Sequence, residues 1–299
     1  MKRWLVMIVV LGGSAAAIYY LQRQKTTTHV GPEAMLNAVA QTEREISRLP
    51  AEIVRLSDAE ETSAGDAMAQ NYLAQHGTLS AADVAIENYV AEVGGVVAAH
   101  ARRRLSYRFH YIPNANFVNA FALPGGHVFL GKGMLQLMDS EDELASVLGH
   151  EVEHVENYHC NERIALEARL RHLPLGGLVT LPVQLFQVGY SKEQEMEADR
   201  DGAALAVMAG YSPQGAIRMF QAFAKLHHTY MAKAQSPDQE LSQVAIQGIV
   251  GYFRSHPLPE EREAQIRRIM ASRNWPQPQE RKLRVAPEPA KTAATKQAN

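Results

Sequence analysis

Hydrophobic positions along this chain recur mostly at helical spacing, with one strand-like stretch in the middle. From Glu33 to Leu56, Met35, Leu36, Val39, Ile46, Leu49 and Ile53 predict an amphipathic helix. Asp58 to Asp66 is acidic and small, and reads as a loop. Ala81 to Arg104 is again helical through Val84, Ile86, Tyr89, Val90, Val93 and Val97, and its basic end, Arg102-Arg103-Arg104, reads as solvated. Tyr107 to Ile112 alternates aromatic and polar residues as a strand does. Phe117 to Leu123 and His127 to Leu130 flank Pro124-Gly125-Gly126, a hairpin signal. Ser140 with Glu143 three residues later forms a capping box, announcing a helix that continues through Leu144, Val147, Leu148 and Val155. Further helices are predicted over Glu193 to Ala209, Pro213 to Met231 and Glu260 to Ser272. The pattern is α+β and mainly helical, with a small hairpin or sheet beside one central helix.

Two apolar stretches need separate treatment. Leu5 to Leu21 is uncharged and follows Lys2 and Arg3. As a helix it would span about 25 Å, just short of a typical hydrocarbon core. Ala15 to Ala17 offer a signal-peptidase site, but cutting there leaves Ile18-Tyr19-Tyr20-Leu21 as an apolar terminus. An uncleaved membrane anchor is therefore preferred to a cleaved signal. Either puts the remainder outside the cytoplasm, on the periplasmic side of a bacterial envelope. Leu173 to Tyr190 is interrupted by Pro174, Pro182, Gln184 and Gln187, so it reads as a buried or membrane-adjacent hairpin rather than a span. From Trp275 the chain is rich in Pro, Lys, Gln and Ala without periodicity, and disorder is expected. The expected organisation is an anchor or signal over 1–25, a helical segment over 26–80, a catalytic domain over 81–274 and a tail over 275–299.

Composition adds mainly exclusions. A net charge of −2 offers no footprint for nucleic acid, and a single cysteine, Cys160, permits no intramolecular disulfide. The chemistry is concentrated in His150-Glu151-Val152-Glu153-His154. Helical residues four apart lie about 40° from each other and roughly 6 Å along the axis, so both imidazoles face one ion. Zinc accepts such nitrogens, and Glu151 beside them is placed to take a proton from metal-activated water. The competing interpretation is a pair of surface histidines among glutamates.

A third ligand is needed. A metzincin would carry Gly and His where this chain has Asn157 and Cys160, which excludes that class. His159 falls about 180° around the helix from His150, so it is expected to pack or hydrogen-bond on the far side. A carboxylate from Glu193-Gln194-Glu195-Met196-Glu197-Ala198-Asp199 is the alternative. Glu195 and Asp199 share a face, so one suits the metal and the other an orienting role. Glu193 and Glu197 compete, and an exposed acidic face is the ordinary explanation of such a run. His256, before Pro257, reads as a helix cap, with oxyanion stabilisation as the second possibility.

Taken together, these blocks resemble metallopeptidase family forty-eight, the gluzincin group of HtpX-like and CAAX prenyl proteases, and most of all its periplasmic, BepA-like branch. Asn119 to His127 is similar to the family's hairpin, and Leu148 to His154 to its zinc helix. Tyr190 to Asp199 is similar to its glutamate helix, and Ser255-His256-Pro257 to its late element. The resemblance covers roughly residues 87–268. It implies one zinc per chain held by His150, His154 and Glu195, with Glu151 as general base and Asp199 behind the ligands. It also makes His256 an active-site residue and places Asn119 and the following strand in the cleft, where extended substrate adds to a sheet edge. Glu153 departs from the small or apolar residue usual there.

The expected function is zinc-dependent endoproteolysis of envelope proteins, in quality control, with polypeptide substrates, possible envelope assembly partners and attachment through the N-terminal segment. The alternative is an envelope chaperone or assembly factor whose zinc site is latent, with His256 filling the open position. A non-catalytic metal protein is the third class, and it would need no Glu151.

Overall fold

The computed structural model describes residues 55–171, 177–178, 181–187, 189–233 and 258–285. The stretch Leu5 to Leu21 lies outside them. So does the helix expected over Glu33 to Leu56, except Arg55 and Leu56, which are not helical. Among the described residues no helix is long and apolar enough to cross a membrane.

The first described helix, α1 (Asp58–His76), occupies the segment read as a loop. Ser57 caps it, with Glu60 completing a capping box, and Asp58, Glu60 and Glu61 fill its first turn. The acidity that suggested a loop is what a helix N-terminus favours, because the free N–H groups and the dipole stabilise negative charge there. α2 (Ala81–Ala98) is capped by Ser80 and stops before the basic run. That run lies beyond the helix end, with Arg102 and Arg104 exposed but Arg103 enclosed. The Arg103 side chain is 7% exposed and pairs with Glu61 at 2.7 Å and Asp58 at 2.6 Å, because buried Glu61 requires a counter-charge.

The predicted strands form one small sheet: β1 (Arg108–Ile112), β2 (Ala120–Leu123) and β3 (His127–Gly131), in the order β1-β3-β2. β2 and β3 pair antiparallel around a tight turn at Pro124–Gly126, while β1 runs parallel to β3. Phe121 and Phe129 stack with ring centroids 4.8 Å apart, and Tyr72 of α1 packs edge-on against both.

α3 (Glu141–Glu156) is the central helix, and the Ser140–Glu143 capping box read from the sequence is present. Leu144, Leu148, Val152 and Val155 are fully buried. α4 (His159–Leu170) follows after a break, then α5 (Lys192–Met208), α6 (Gln214–Lys233) and α7 (Pro259–Arg273). α3 packs most extensively on α5, and also meets α2, α6 and β2. Of the apolar stretch Leu173 to Tyr190, Leu178, Leu181, Val183, Leu185 and Phe186 are buried.

Disorder from Trp275 onward is corrected for the residues up to Val285. The Arg281 N–H donates to Asp142 at 2.7 Å, the Glu141 N–H donates to the Arg281 carbonyl at 2.8 Å, and Ser140 bridges to Lys282. Asp142 is buried and also accepts the Ser212 N–H at 2.6 Å. A carboxylate in that position needs donors, and this segment supplies one. Residues 286–299 lie outside the described set.

α3 and α5 cross backbone to backbone. A Cβ on Gly202 would stand 2.5 Å from the His150 nitrogen, and one on Gly149 would stand 2.6 Å from the Gly202 carbonyl oxygen. Gly202→Ala therefore forces the two helices apart. The expected outcome is a loss of about 1–3 kcal/mol in denaturant unfolding, the usual scale of overpacking. Metal affinity should fall with it, and a variant of native stability and affinity would contradict this crossing.

Candidate metal centre

Two turns into α3, His150 and His154 project from one face, with their Nε2 atoms 3.0 Å apart. Glu195 enters from the first turn of α5. Its Oε2 lies 3.5 Å from His150 Nε2 and its Oε1 lies 3.7 Å from His154 Nε2. The Tyr190 N–H donates to Glu195 Oε1 at 2.9 Å and fixes the carboxylate. Among the described residues these three form the one group able to hold a metal ion, with ligand atoms all within 4.8 Å of one another. Two imidazole nitrogens and a carboxylate are a donor set suited to zinc. Of the acidic candidates on this helix, Glu193 is exposed and the Glu197 side chain reaches His159 and Arg200 instead.

Asp199, one turn beyond Glu195, places Oδ1 2.9 Å from His150 Nδ1. Arg262 of α7 grips Asp199 with both arms of its fork, at 2.7 and 2.6 Å. Sequence reasoning missed Arg262. Its signal was a lone cation in the buried stripe Arg262, Ile266, Met270, where a charge implies a partner. Burial pulls the His150 pKa down, but the hydrogen bonds to Asp199 and Glu195 outweigh it and raise the value to about 10. Asp199 is also opposed by burial, yet Arg262 and His150 hold its carboxyl below the ordinary aspartate value. Glu151, 7% exposed beside this group, is pushed up to about 7 chiefly by burial.

The expected far-side position of His159 is corrected. α3 ends at Glu156, Tyr158 adopts a φ of 63°, and a new helix starts at His159. The break swings His159 back under the site, with Nδ1 2.9 Å from His154 Nδ1. A separation of about 180° holds only along an unbroken helix. Glu153, the departure noted above, accepts from Arg102 at 3.1 Å and from the Asn157 amide at 3.1 Å. Cys160 is fully buried against the Tyr190 hydroxyl, and burial lifts its thiol pKa to about 12, so it is inert. The Asn119 side chain donates to the Gln187 carbonyl at 3.1 Å, and its neighbour Ala120 lines the cleft. His256 lies outside the described residues.

Beside His150 and Glu151 opens a cavity of about 40 Å³, walled on its apolar side by Met134, Val147, Met219, Phe220 and Phe223. Arg262 and Asp199 close its polar side.

The metal-free site has a defined pH dependence. With the His150 pKa raised by its carboxylate partners to about 10, an ion is expected to displace a proton from Nε2 below that value. Loading therefore releases a proton. The apparent association constant should rise about tenfold per pH unit below that value, measured by competition with a chelator. A pH-independent constant would contradict this.

Comparison with known proteins agrees with the geometry. Residues 84–270 match Peptidase family M48. A putative β-barrel assembly-enhancing protease of Vibrio cholerae is 29% identical over 187 residues, covering 56% of this chain and 35% of that protein. The β-barrel assembly-enhancing protease of Escherichia coli K12 is 29% identical over 182 residues, covering 53% and 34%. The mitochondrial metalloendopeptidase OMA1 of Arabidopsis thaliana is 34% identical over 123 residues, covering 38% and 25%. The matched stretch thus spans about a third or less of these relatives' lengths. With more than half of its residues matched, the chain belongs to peptidase family M48, a family of metallopeptidases.

Proposed function

We propose that this chain is a zinc-dependent endopeptidase of the bacterial cell envelope, acting from the periplasmic side on misfolded or misassembled proteins. The observation that carries the enzymatic reading is Glu151. A metal-binding protein without catalysis has no use for a buried carboxyl that adjoins a ligand histidine and lines an apolar cavity. The envelope setting rests on the uncharged stretch Leu5 to Leu21 and on relatives whose names refer to β-barrel assembly.

Bound by His150, His154 and Glu195, zinc supplies Lewis acidity toward the scissile carbonyl and the attacking water. Glu151 takes the proton of that water and delivers it to the leaving amine, a role its buried carboxylate beside the ligand histidine is placed to fill. Burial excludes competing solvent from its carboxylate. Asp199 holds His150 by Nδ1, and Arg262 keeps Asp199 ionised, so the imidazole meets the ion in one orientation. The wall of Met134, Val147, Met219, Phe220 and Phe223 selects an apolar substrate side chain next to the bond that is cut.

Glu151→Gln should retain zinc while slowing cleavage of an unfolded protein such as casein by about 100- to 10,000-fold, the range of general-base contributions. A variant that cleaves at the native rate would refute the mechanism. Glu195→Ala should lower zinc content in elemental analysis, and unchanged stoichiometry would remove Glu195 from the ligand set. Digestion of a mixed peptide library, with cut sites read by mass spectrometry, should show Leu, Phe or Met enriched at one position flanking the scissile bond. No enrichment, or enrichment of charged residues, would dismiss the pocket.

A further inference from the structure

Two contacts bear on the orientation of His154 from the side away from His150 and Glu195. Its ring stacks on Tyr190 with centroids 4.1 Å apart, which sets the plane of the imidazole. Stacking does not decide which nitrogen points where within that plane. His159 does. It is 2% exposed, and its Nδ1 lies 2.9 Å from His154 Nδ1. Two ring nitrogens at that separation share one proton, so one donates and the other accepts.

The direction follows from what surrounds the opposite nitrogen. His154 Nε2 faces His150 Nε2 at 3.0 Å and Glu195 Oε1 at 3.7 Å. An ion there takes the Nε2 lone pair, leaving neutral His154 with its proton on Nδ1. That N–H must donate to His159 Nδ1. Neutral His159 then carries its own proton on Nε2, which lies 3.4 Å from Glu197 Oε2. Each donor in the chain faces one acceptor, and the chain ends on a carboxylate whose side chain is 42% exposed.

We propose that His159 is a positioning residue for the metal centre: anchored by Glu197, it fixes His154 in the Nδ1–H tautomer with Nε2 turned to the ion. This rests on the metal site proposed above. It gives the ligand histidines different supports, a direct carboxylate for His150 and a histidine relayed to a carboxylate for His154. It also gives a purpose to the left-handed Tyr158, an uncommon conformation for a bulky residue. Without that turn His159 would continue away along α3. Tyr158 is held in place between Arg55 and Arg103, whose guanidinium carbons lie 4.5 and 4.1 Å from its ring centroid. Glu197, a rival for the ligand role in the sequence, here serves the same ion from one position further out.

The test uses the full chain and zinc, with affinity read by chelator competition and geometry read from the visible spectrum of the cobalt-substituted protein. His159→Phe removes the acceptor and should weaken zinc by about 10- to 100-fold with a shifted cobalt band, the effect of losing a partner behind a ligand. His159→Gln, whose amide oxygen can accept, should restore most of the affinity and the native band. Thermal unfolding of the metal-free proteins should separate these effects from folding. Glu197→Ala, which leaves the buried ring in place, should weaken zinc by about tenfold and keeps the test decisive if His159→Phe does not fold. Native zinc affinity in His159→Phe, equal losses in Phe and Gln variants, or an unaltered Glu197→Ala would each overturn the proposal. His154→Ala is the control on the underlying site. Loss of zinc there with native affinity in His159→Phe refutes the positioning role alone, whereas native affinity in His154→Ala refutes the site itself.

Discussion

Three side chains from two helices meet around one point only if the helix axes come closer than ordinary side chains permit. Gly149 and Gly202 provide that approach, since each lacks the Cβ that would strike the other backbone. The contact falls next to His150 and two turns from Glu195, so the spacing of the candidate ligands follows from it. α3 is in turn wedged among α2, α5, α6 and β2, and close packing leaves it little freedom to relax. The crossing is the constraint on which the rest of the centre depends.

Around this crossing the protein buries many charges, and it does so in matched sets. Asp199 is answered by Arg262 and Glu61 by Arg103. Each acid is almost fully buried, and alone it would be costly to keep ionised. Glu151 differs. The charges near it oppose burial without cancelling it, so its pKa rises while that of Asp199 falls. Two carboxyls beside the same histidine are thereby shifted in opposite directions.

The ends of the central helix are secured from distant parts of the chain. At its N-terminus, Glu141 and Asp142 are held by the segment around Arg281. At its C-terminus, Arg102 and Arg103 bond to Glu153, Glu156 and the Val155 carbonyl. These contacts satisfy groups that a helix end leaves unpaired, and they tie residues far apart in sequence to the element that carries the histidines.

Much of this was legible from local pattern. Helical spacing set the residue pair His150 and His154, the capping box set the start of α3, and the glycine turn set the β2–β3 hairpin. Such features depend on neighbours within a few residues, and physics acts there through backbone geometry alone. The acidic Asp58 to Asp66 and Arg103 within the basic run were misread because composition reports charge but not its partner. The lone cation in the stripe of α7 was overlooked for the same reason. His159 was misplaced by a single residue, Tyr158, whose left-handed turn has no signature in side-chain spacing. The sequence by itself determined the donor types, the helix that presents two of them and the acid beside them. The family resemblance already named Glu195 and Asp199, but only the tertiary structure brought Arg262 and His159 behind the ligands and decided how closely the helices meet, because those depend on contacts between segments whose separation along the chain carries no distance information.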